Sequence, residues 1–309
     1  MTLFVGDQQT LARDAHFEGR GLFGGREVVV DCRPAPAGTG IVFRRADLPG
    51  RPEVAARVAD VVGDDRMVVL RRGRAEVRLV EHLLAAAAGV GITNMVVEIS
   101  AAEAPALDGS AAPYGRAFIE AGLVAQGVPQ ECFAPSEEIA VEEKDAWLRL
   151  APAGNEEPRA AVPQALWNRC AARRVAQAPP PVDELTVSFT LDYGECYIGR
   201  QSKTIVLTPE TFLEEIAPAR TYALREEVQA FLECGLGGGA TEENVVIVER
   251  DGSTAQELRF ADECVRHKIL DLVGDLSLAG VALQGEINGF RSGHGLNTRL
   301  ARAVGALHP

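Results

Sequence analysis

The segment 266–278, RHKILDLVGDLSL, does most to restrict what this chain can become. Val265, Ile269, Leu272, Val273 and Leu276 recur at helical spacing and form an apolar stripe. Beside that stripe His267, Asp271 and Asp275 recur every four residues. Residues four apart on a helix lie on one face within side-chain reach. A helix is therefore expected from about 261 to 279, with its stripe packed and a row of titratable groups alongside. An imidazole and a carboxylate one turn apart can chelate a single metal ion. The same spacing also serves a plain ion pair or helix contact, which is the commoner use.

A second helix is expected where the composition turns to Leu and Ala, from Glu81 to Ala88, with Gly89 and Gly91 ending it. It opens on Glu81 and His82, a pair costly to bury without partners. One reading makes Glu81 a helix-dipole partner beside a partly exposed histidine. The other gives the two residues different tasks, because adjacent helical side chains diverge by roughly 100°. His82 can then ligate a metal while Glu81 reaches a water on it. A catalytic zinc typically has three protein ligands and one open position. His82, His267 and Asp271 would supply that set, and Glu81 the base. A third motif, FRSGHGLN, puts His294 between Gly293 and Gly295, where backbone can approach a ligand closely. Its alternative is a loop histidine capping the next helix.

The surrounding pattern alternates strands and helices in each half. Strands are expected at 26–31, 41–45, 95–99, 185–191, 203–207 and 281–287, with a hairpin at 67–80. Further helices are expected at 113–121, from 209, at 225–233 and from 294 to 307. A chain of 309 residues favours two domains. Gly, Pro and Gln cluster at 124–137 and mark the boundary, giving domains 1–128 and 138–309. The Pro-, Ala- and Arg-rich stretch 152–184 reads as a loop insertion. The glycine run Gly235–Gly239 lacks the Lys-Ser/Thr of a phosphate loop and reads as a turn.

A net charge of −13 argues against a nucleic-acid partner. Six scattered cysteines, with no CxxC pair, argue against a disulfide framework or a cysteine zinc site. No signal peptide and no membrane span are visible. These features predict a cytoplasmic protein with reduced thiols.

Longer stretches carry a resemblance. GRGLFGGREV, CRPAPAGTGIVFRRADL, VEHLLAAAAGVGITN, APALDGSAAPYGRAFIEAGL, SFTLDY, ARTYAL, LRFADECVRHKILDLVGDLSLAG and FRSGHGLNTRL follow one another through the chain. In that order they resemble the UDP-3-O-acyl-N-acetylglucosamine deacetylases, zinc enzymes of lipid A biosynthesis. The resemblance covers essentially the whole chain apart from 152–184. It implies zinc ligation by His82, His267 and Asp271, with Glu81 as general base. Fe²⁺ also suits a site of two histidines and an aspartate. The resemblance implies further that His294 stabilises charge or acts as general acid, with Asp275 orienting it. Lys268 and Tyr193 are linked to substrate binding, and Thr221 to the reacting carbonyl. The substrate implied is a UDP-sugar lipid precursor.

The fold implied is α+β: two similar domains, each layering helices against sheet, with the active site between them. A β-α-β insert at about 221–249 would build an apolar acyl passage, for which Leu224, Val228, Phe231, Leu232 and Val246 are apolar enough. Two departures stand out. Members of that family usually carry His where this chain has Phe23. Arg78-Leu79 replaces a usual Ser-Thr and removes a hydroxyl cap from the helix of Glu81 and His82. Two alternatives remain at this level: a zinc amidohydrolase acting on another acylated amino-sugar, and a catalytically silent, metal-stabilised binding protein.

Overall fold

The computed structural model describes residues 3–63, 66–154 and 184–308. Its helices are α1 (Glu81–Val90), α2 (Ala112–Ala121), the short α3 (Pro209–Thr211), α4 (Arg225–Glu233), α5 (Glu263–Ser277) and α6 (His294–Leu307). A π-helical turn, Phe212–Ile216, continues from α3.

Two five-stranded sheets share one topology. In the first, the spatial order is Ala15–Arg20, Glu27–Pro34, Met95–Ile99, Ile41–Arg45 and Glu53–Ala55. In the second it is Ile139–Glu143, Ala146–Ala151, Gly285–Phe290, Leu185–Asp192 and Arg200–Leu207. Each time the last strand in sequence inserts at the centre and makes the sheet's only parallel pairing with the third. Each time one helix precedes that central strand and one follows it: α1 and α2 in the first half, α5 and α6 in the second. The chain is thus α+β, built from two similar halves.

Hairpin connections explain the antiparallel pair at each edge of both sheets. A parallel neighbour needs a long crossover, and a helix supplies it.

The apolar stripe expected on α5 is buried in full, from Val265 to Leu276. So are His267, Asp271 and Asp275. The helix is therefore covered on both its apolar and its titratable sides. Its broadest contact is with α1, its counterpart in the other half, and α6 and the strand Leu185–Asp192 also pack on it. The approach of α1 is close because Gly274 has no side chain. A Cβ there would lie 2.2 Å from the carbonyl oxygen of Glu81.

Gly91 caps α1 in the left-handed region, φ +87°. Gly89 does not end the helix as expected. It lies inside, where a Cβ would overlap the Phe212 ring at 2.2 Å. At the other end of α1 no side chain caps the helix, as the Arg78-Leu79 departure implied. Leu79 instead adopts φ +56° and is buried with Leu22, Ala106 and Val245. A leucine in that region is strained by roughly 1–2 kcal/mol. Burial of its side chain is the compensating interaction at hand.

Region 124–137, expected as a boundary, holds much of a long strand, Leu123–Phe133. It pairs with Leu3–Leu11 from the first half and Ala282–Leu283 from the second. The irregular register at Asp7 explains why its sequence reads as loop. Of the insertion expected at 152–184, only residues 152–154 and 184 lie within the described residues.

The insert is a β-α-β unit, with Tyr222–Leu224 and Val246–Val248 pairing in parallel around α4. Val246 is buried in the main core, whereas Leu232 is exposed at 57%. Leu224, Val228 and Phe231 are half-buried. The glycine run binds backbone rather than phosphate. The N–H groups of Gly237 and Gly238 donate to the Phe23 carbonyl, and that of Gly239 to the Leu22 carbonyl. Phe23 meets Phe231 edge-on at 6.2 Å, and the Arg66 guanidinium lies over the Phe231 ring at 4.3 Å.

Gly274→Ala is expected to force α1 and α5 apart and to lower stability by about 1–3 kcal/mol, the usual cost of overpacking. Urea denaturation measures it. A variant as stable as the parent would mean that the helices have slack at this crossing.

Candidate active site

The α1–α5 crossing decides which side chains meet. His82 sits in the first turn of α1 and His267 one turn into α5, and their rings lie 5.0 Å apart, nearly perpendicular. Asp271 is one turn further along α5. Its Oδ1 is 3.3 Å from His267 Nε2 and 3.8 Å from His82 Nε2. One donor atom from each of these three buried residues lies within 4.8 Å of the others. No other such cluster exists among the described residues.

The donor set fits a metal. Tetrahedral ligands at roughly 2.0–2.1 Å from zinc stand roughly 3.3–3.5 Å apart, close to these separations. The protonation states fit as well. Burial holds the His82 imidazole down to about 3, with His267 adding to the effect. Burial likewise lowers His267. Both rings are therefore neutral and able to ligate. His267 Nδ1 lies 3.0 Å from the Ala219 carbonyl, which can only accept, so Nδ1 carries the proton and Nε2 is the free donor. Burial alone would raise Asp271, but Lys268 and His294 together hold it ionised, below the ordinary range.

Glu81 stands beside the triad. Its Oε2 accepts from the Val68 N–H at 3.1 Å. Burial pushes its carboxyl up to about 7, partly opposed by His294. A carboxyl so poised can take up a proton near neutral pH.

His294 opens α6, with Nδ1 2.8 Å from Asp275 Oδ2 and Nε2 3.9 Å from Asp271 Oδ2. Burial opposes its charge, but Asp275 and Asp271 outweigh this and raise it to about 10. It is a cation at neutral pH. His82 and His294 both face Asp271 yet hold opposite charge states, because burial prevails at the first and the added contact with Asp275 prevails at the second.

The remaining expected residues are more dispersed. Lys268 Nζ is 2.7 Å from Asp271 Oδ2, so its ammonium faces the triad in this structure. Burial would lower it, and Asp271 raises it above the ordinary range. Tyr193 touches the site through Tyr222. The two hydroxyls are 3.2 Å apart, and the Tyr222 ring lies 6.3 Å from that of His267. Thr221 is tied by backbone alone among the described contacts. Its N–H donates to the Gly109 carbonyl, and its carbonyl accepts from the Val246 N–H.

Sequence reasoning left several residues without roles. Asn297 is fully buried, donates to Asp275 Oδ2 at 2.8 Å, and accepts from Ser292 Oγ at 2.6 Å. It therefore fixes the carboxylate that fixes His294. Asp108 accepts from Ser110 and from Arg259, tying the LDGS turn to the second half. Tyr222, Asn297 and Asp108 all lie inside quoted motifs, which is the signal that could have found them.

The family model for UDP-3-O-acyl N-acetylglycosamine deacetylase (LpxC) matches residues 8–163 and 154–306. The chain belongs to this family. The first matched segment spans the first sheet and the strands Ile139–Glu143 and Ala146–Ala151 of the second, and the second segment holds the remaining three strands of that sheet. Two relatives named UDP-3-O-acyl-N-acetylglucosamine deacetylase are similar along nearly the whole length. One, from Thioalkalivibrio sulfidiphilus (strain HL-EbGR7), is 36% identical over 301 residues, covering 96% of this chain and 89% of the relative. The other, from Pseudomonas entomophila (strain L48), is 35% identical over 300 residues, with the same coverage.

His267→Ala is expected to weaken zinc binding by more than the roughly 10–100-fold lost with an outer partner of a ligand. Chelator competition on refolded, metal-reloaded protein measures it. Affinity equal to the parent would remove His267 from the donor set.

Proposed function

We propose that the protein hydrolyses the N-acetyl group of UDP-3-O-acyl-N-acetylglucosamine, giving the free amine and acetate, the step that commits material to lipid A synthesis. The observation that carries this reading is the buried His82, His267 and Asp271 triangle with Glu81 and a cationic His294 beside it, in a member of the deacetylase family. His82, His267 and Asp271 would hold one zinc ion, and Fe²⁺ suits the same donors. Zinc held there supplies Lewis acidity, lowering the pKa of a water and polarising the amide carbonyl.

The chain's own groups divide the proton work. Glu81 takes a proton from water as the oxygen attacks the acetamide carbon. Its raised affinity for protons suits that role. Thr221 is assigned to the carbonyl oxygen as a hydroxyl donor, and the His294 charge stabilises the same developing anion. As the carbon–nitrogen bond breaks, the His294 proton passes to the departing amine. Asp275, itself held by Asn297, keeps the His294 ring in position. Lys268 is assigned to substrate oxygen atoms, which requires it to exchange part of its contact with Asp271. Tyr193 is assigned to the nucleotide end, and the insert around α4 to the acyl chain.

A further expectation follows the same reading. Cytoplasmic residence fits the described cysteines, Cys32, Cys132, Cys196, Cys234 and Cys264, all free thiols. No described helix is long and apolar enough to cross a membrane.

Glu81→Ala is expected to retain metal and to lose about 10²–10⁴-fold in turnover, the range for a positioned acid–base group. Acetate release from UDP-3-O-acyl-N-acetylglucosamine, measured beside metal content, tests it. Metal bound with no turnover by the parent protein would transfer the chemistry to another N-acetylated sugar. Full turnover by the variant would exclude Glu81 as the base.

A further inference from the structure

The peptide unit between Ala219 and Arg220 lies outside any helix or strand, yet it is held at both ends by one face of α5. Its carbonyl accepts from His267 Nδ1 at 3.0 Å. Its N–H, on Arg220, donates to Glu263 Oε1 at 2.9 Å. Glu263 and His267 are four residues apart on α5 and so stand one above the other. A peptide group is planar and rigid, so its carbonyl and its N–H cannot turn independently. Whatever fixes the N–H therefore fixes the direction of the carbonyl.

Glu263 fixes it firmly. The side chain is 1% exposed. Oε1 also accepts from Arg220 Nε at 2.9 Å, and Oε2 accepts from Arg220 Nη2 at 3.1 Å and from the Arg259 N–H at 2.7 Å. Arg220 Nη2 donates in addition to the Glu257 carbonyl at 2.7 Å. Arg259 Nη1 ties the same strap from the far side, bonding the Pro218 carbonyl at 2.8 Å and Asp108 Oδ2 at 2.9 Å. The next residue along is Thr221.

We propose that Glu263 is a positioning residue for the metal centre. Through the Ala219–Arg220 peptide it sets the tautomer and ring direction of His267 and carries Thr221 into register beside it. The inference rests on the reading of His82, His267 and Asp271 as a metal site. The outer partner of a ligating histidine orients the ring and keeps the donor nitrogen free. Here that partner is a backbone carbonyl, and Glu263 is what prevents it from turning. The arrangement is independent of substrate identity.

Two variants in the full-length protein test it, with zinc affinity read by chelator competition and the His267 ring nitrogens read by NMR in the metal-free state. Glu263→Ala is expected to bind zinc about 10–100-fold more weakly, with His267 alone among the site histidines shifting toward mixed tautomers. Glu263→Gln keeps an oxygen for the Arg220 N–H but turns an amide toward the donors on Arg259 and Arg220. Its loss is expected to fall between the parent and the alanine variant. A general loss of packing would lower the melting temperature without singling out the His267 nitrogens. Parent-like zinc affinity together with an unchanged His267 tautomer overturns the proposal. Should the alanine variant fail to fold, the same result in the glutamine variant overturns it. A parent protein that binds no zinc would instead remove the metal reading on which both rest.

Discussion

The crossing of α1 over α5 is the contact on which the rest depends. Gly274 lets the backbone of α1 at Glu81 come down onto α5 at a distance no other residue permits. The two helices are equivalents, each the crossover before the central strand of its own sheet. Their packing joins the halves and at the same time buries the charged first turn of α1 against the titratable row of α5. The cost of burying such groups is met by mutual pairing, with the neutral imidazoles facing one ionised carboxylate. Fold stability and site assembly are thus one contact seen from two sides.

Within that contact, environment rather than residue type assigns the charges. His82 is driven neutral by burial, while His294, equally buried, is held cationic by Asp275 and Asp271. Glu81 is pushed up toward neutrality, whereas Asp271, ringed by cationic and imidazole groups, stays ionised. Pairs of like residues with protonation equilibria forced apart are what acid–base division of labour requires. Further out, the supports mix peptide groups and side chains. The glycine contacts at 237–239 are peptide to peptide, whereas the 218–221 strap and the LDGS turn offer peptide groups that the Glu263, Arg259 and Asp108 side chains hold.

Legibility in the sequence followed the range of the interactions. α1 and α5 were readable because helical periodicity is local. The central strand of the first sheet, Met95–Ile99, was readable as an apolar β-branched run, whereas that of the second, expected at 281–287, is Gly285–Phe290, whose GEINGF has a single β-branched residue and takes its place from its neighbours. Leu3–Leu11, Ala15–Arg20 and Leu123–Phe133 were not, because their stability comes from distant partners and, in the last, from irregular pairing around glycine and proline. Gly89 was misread as a terminator because its task, admitting Phe212 from 123 residues away in the chain, has no local signature. The site residues on α1, α5 and α6 stood out by spacing and by resemblance. Asn297 and Arg220 did not, since polar residues in ordinary positions become informative only when their buried partners are known.

By itself the sequence determined the local elements, the helical faces carrying His82, His267, Asp271 and Asp275, and the family to which the chain belongs. Only the tertiary structure decided that these faces meet, that the two halves repeat one topology, and that the Ala219–Arg220 peptide is clamped between Glu263 and His267. The reason is physical. Helical spacing is set by bonds a few residues long, whereas the distance between two helices is set by which side chains are missing at their crossing, here that of Gly274.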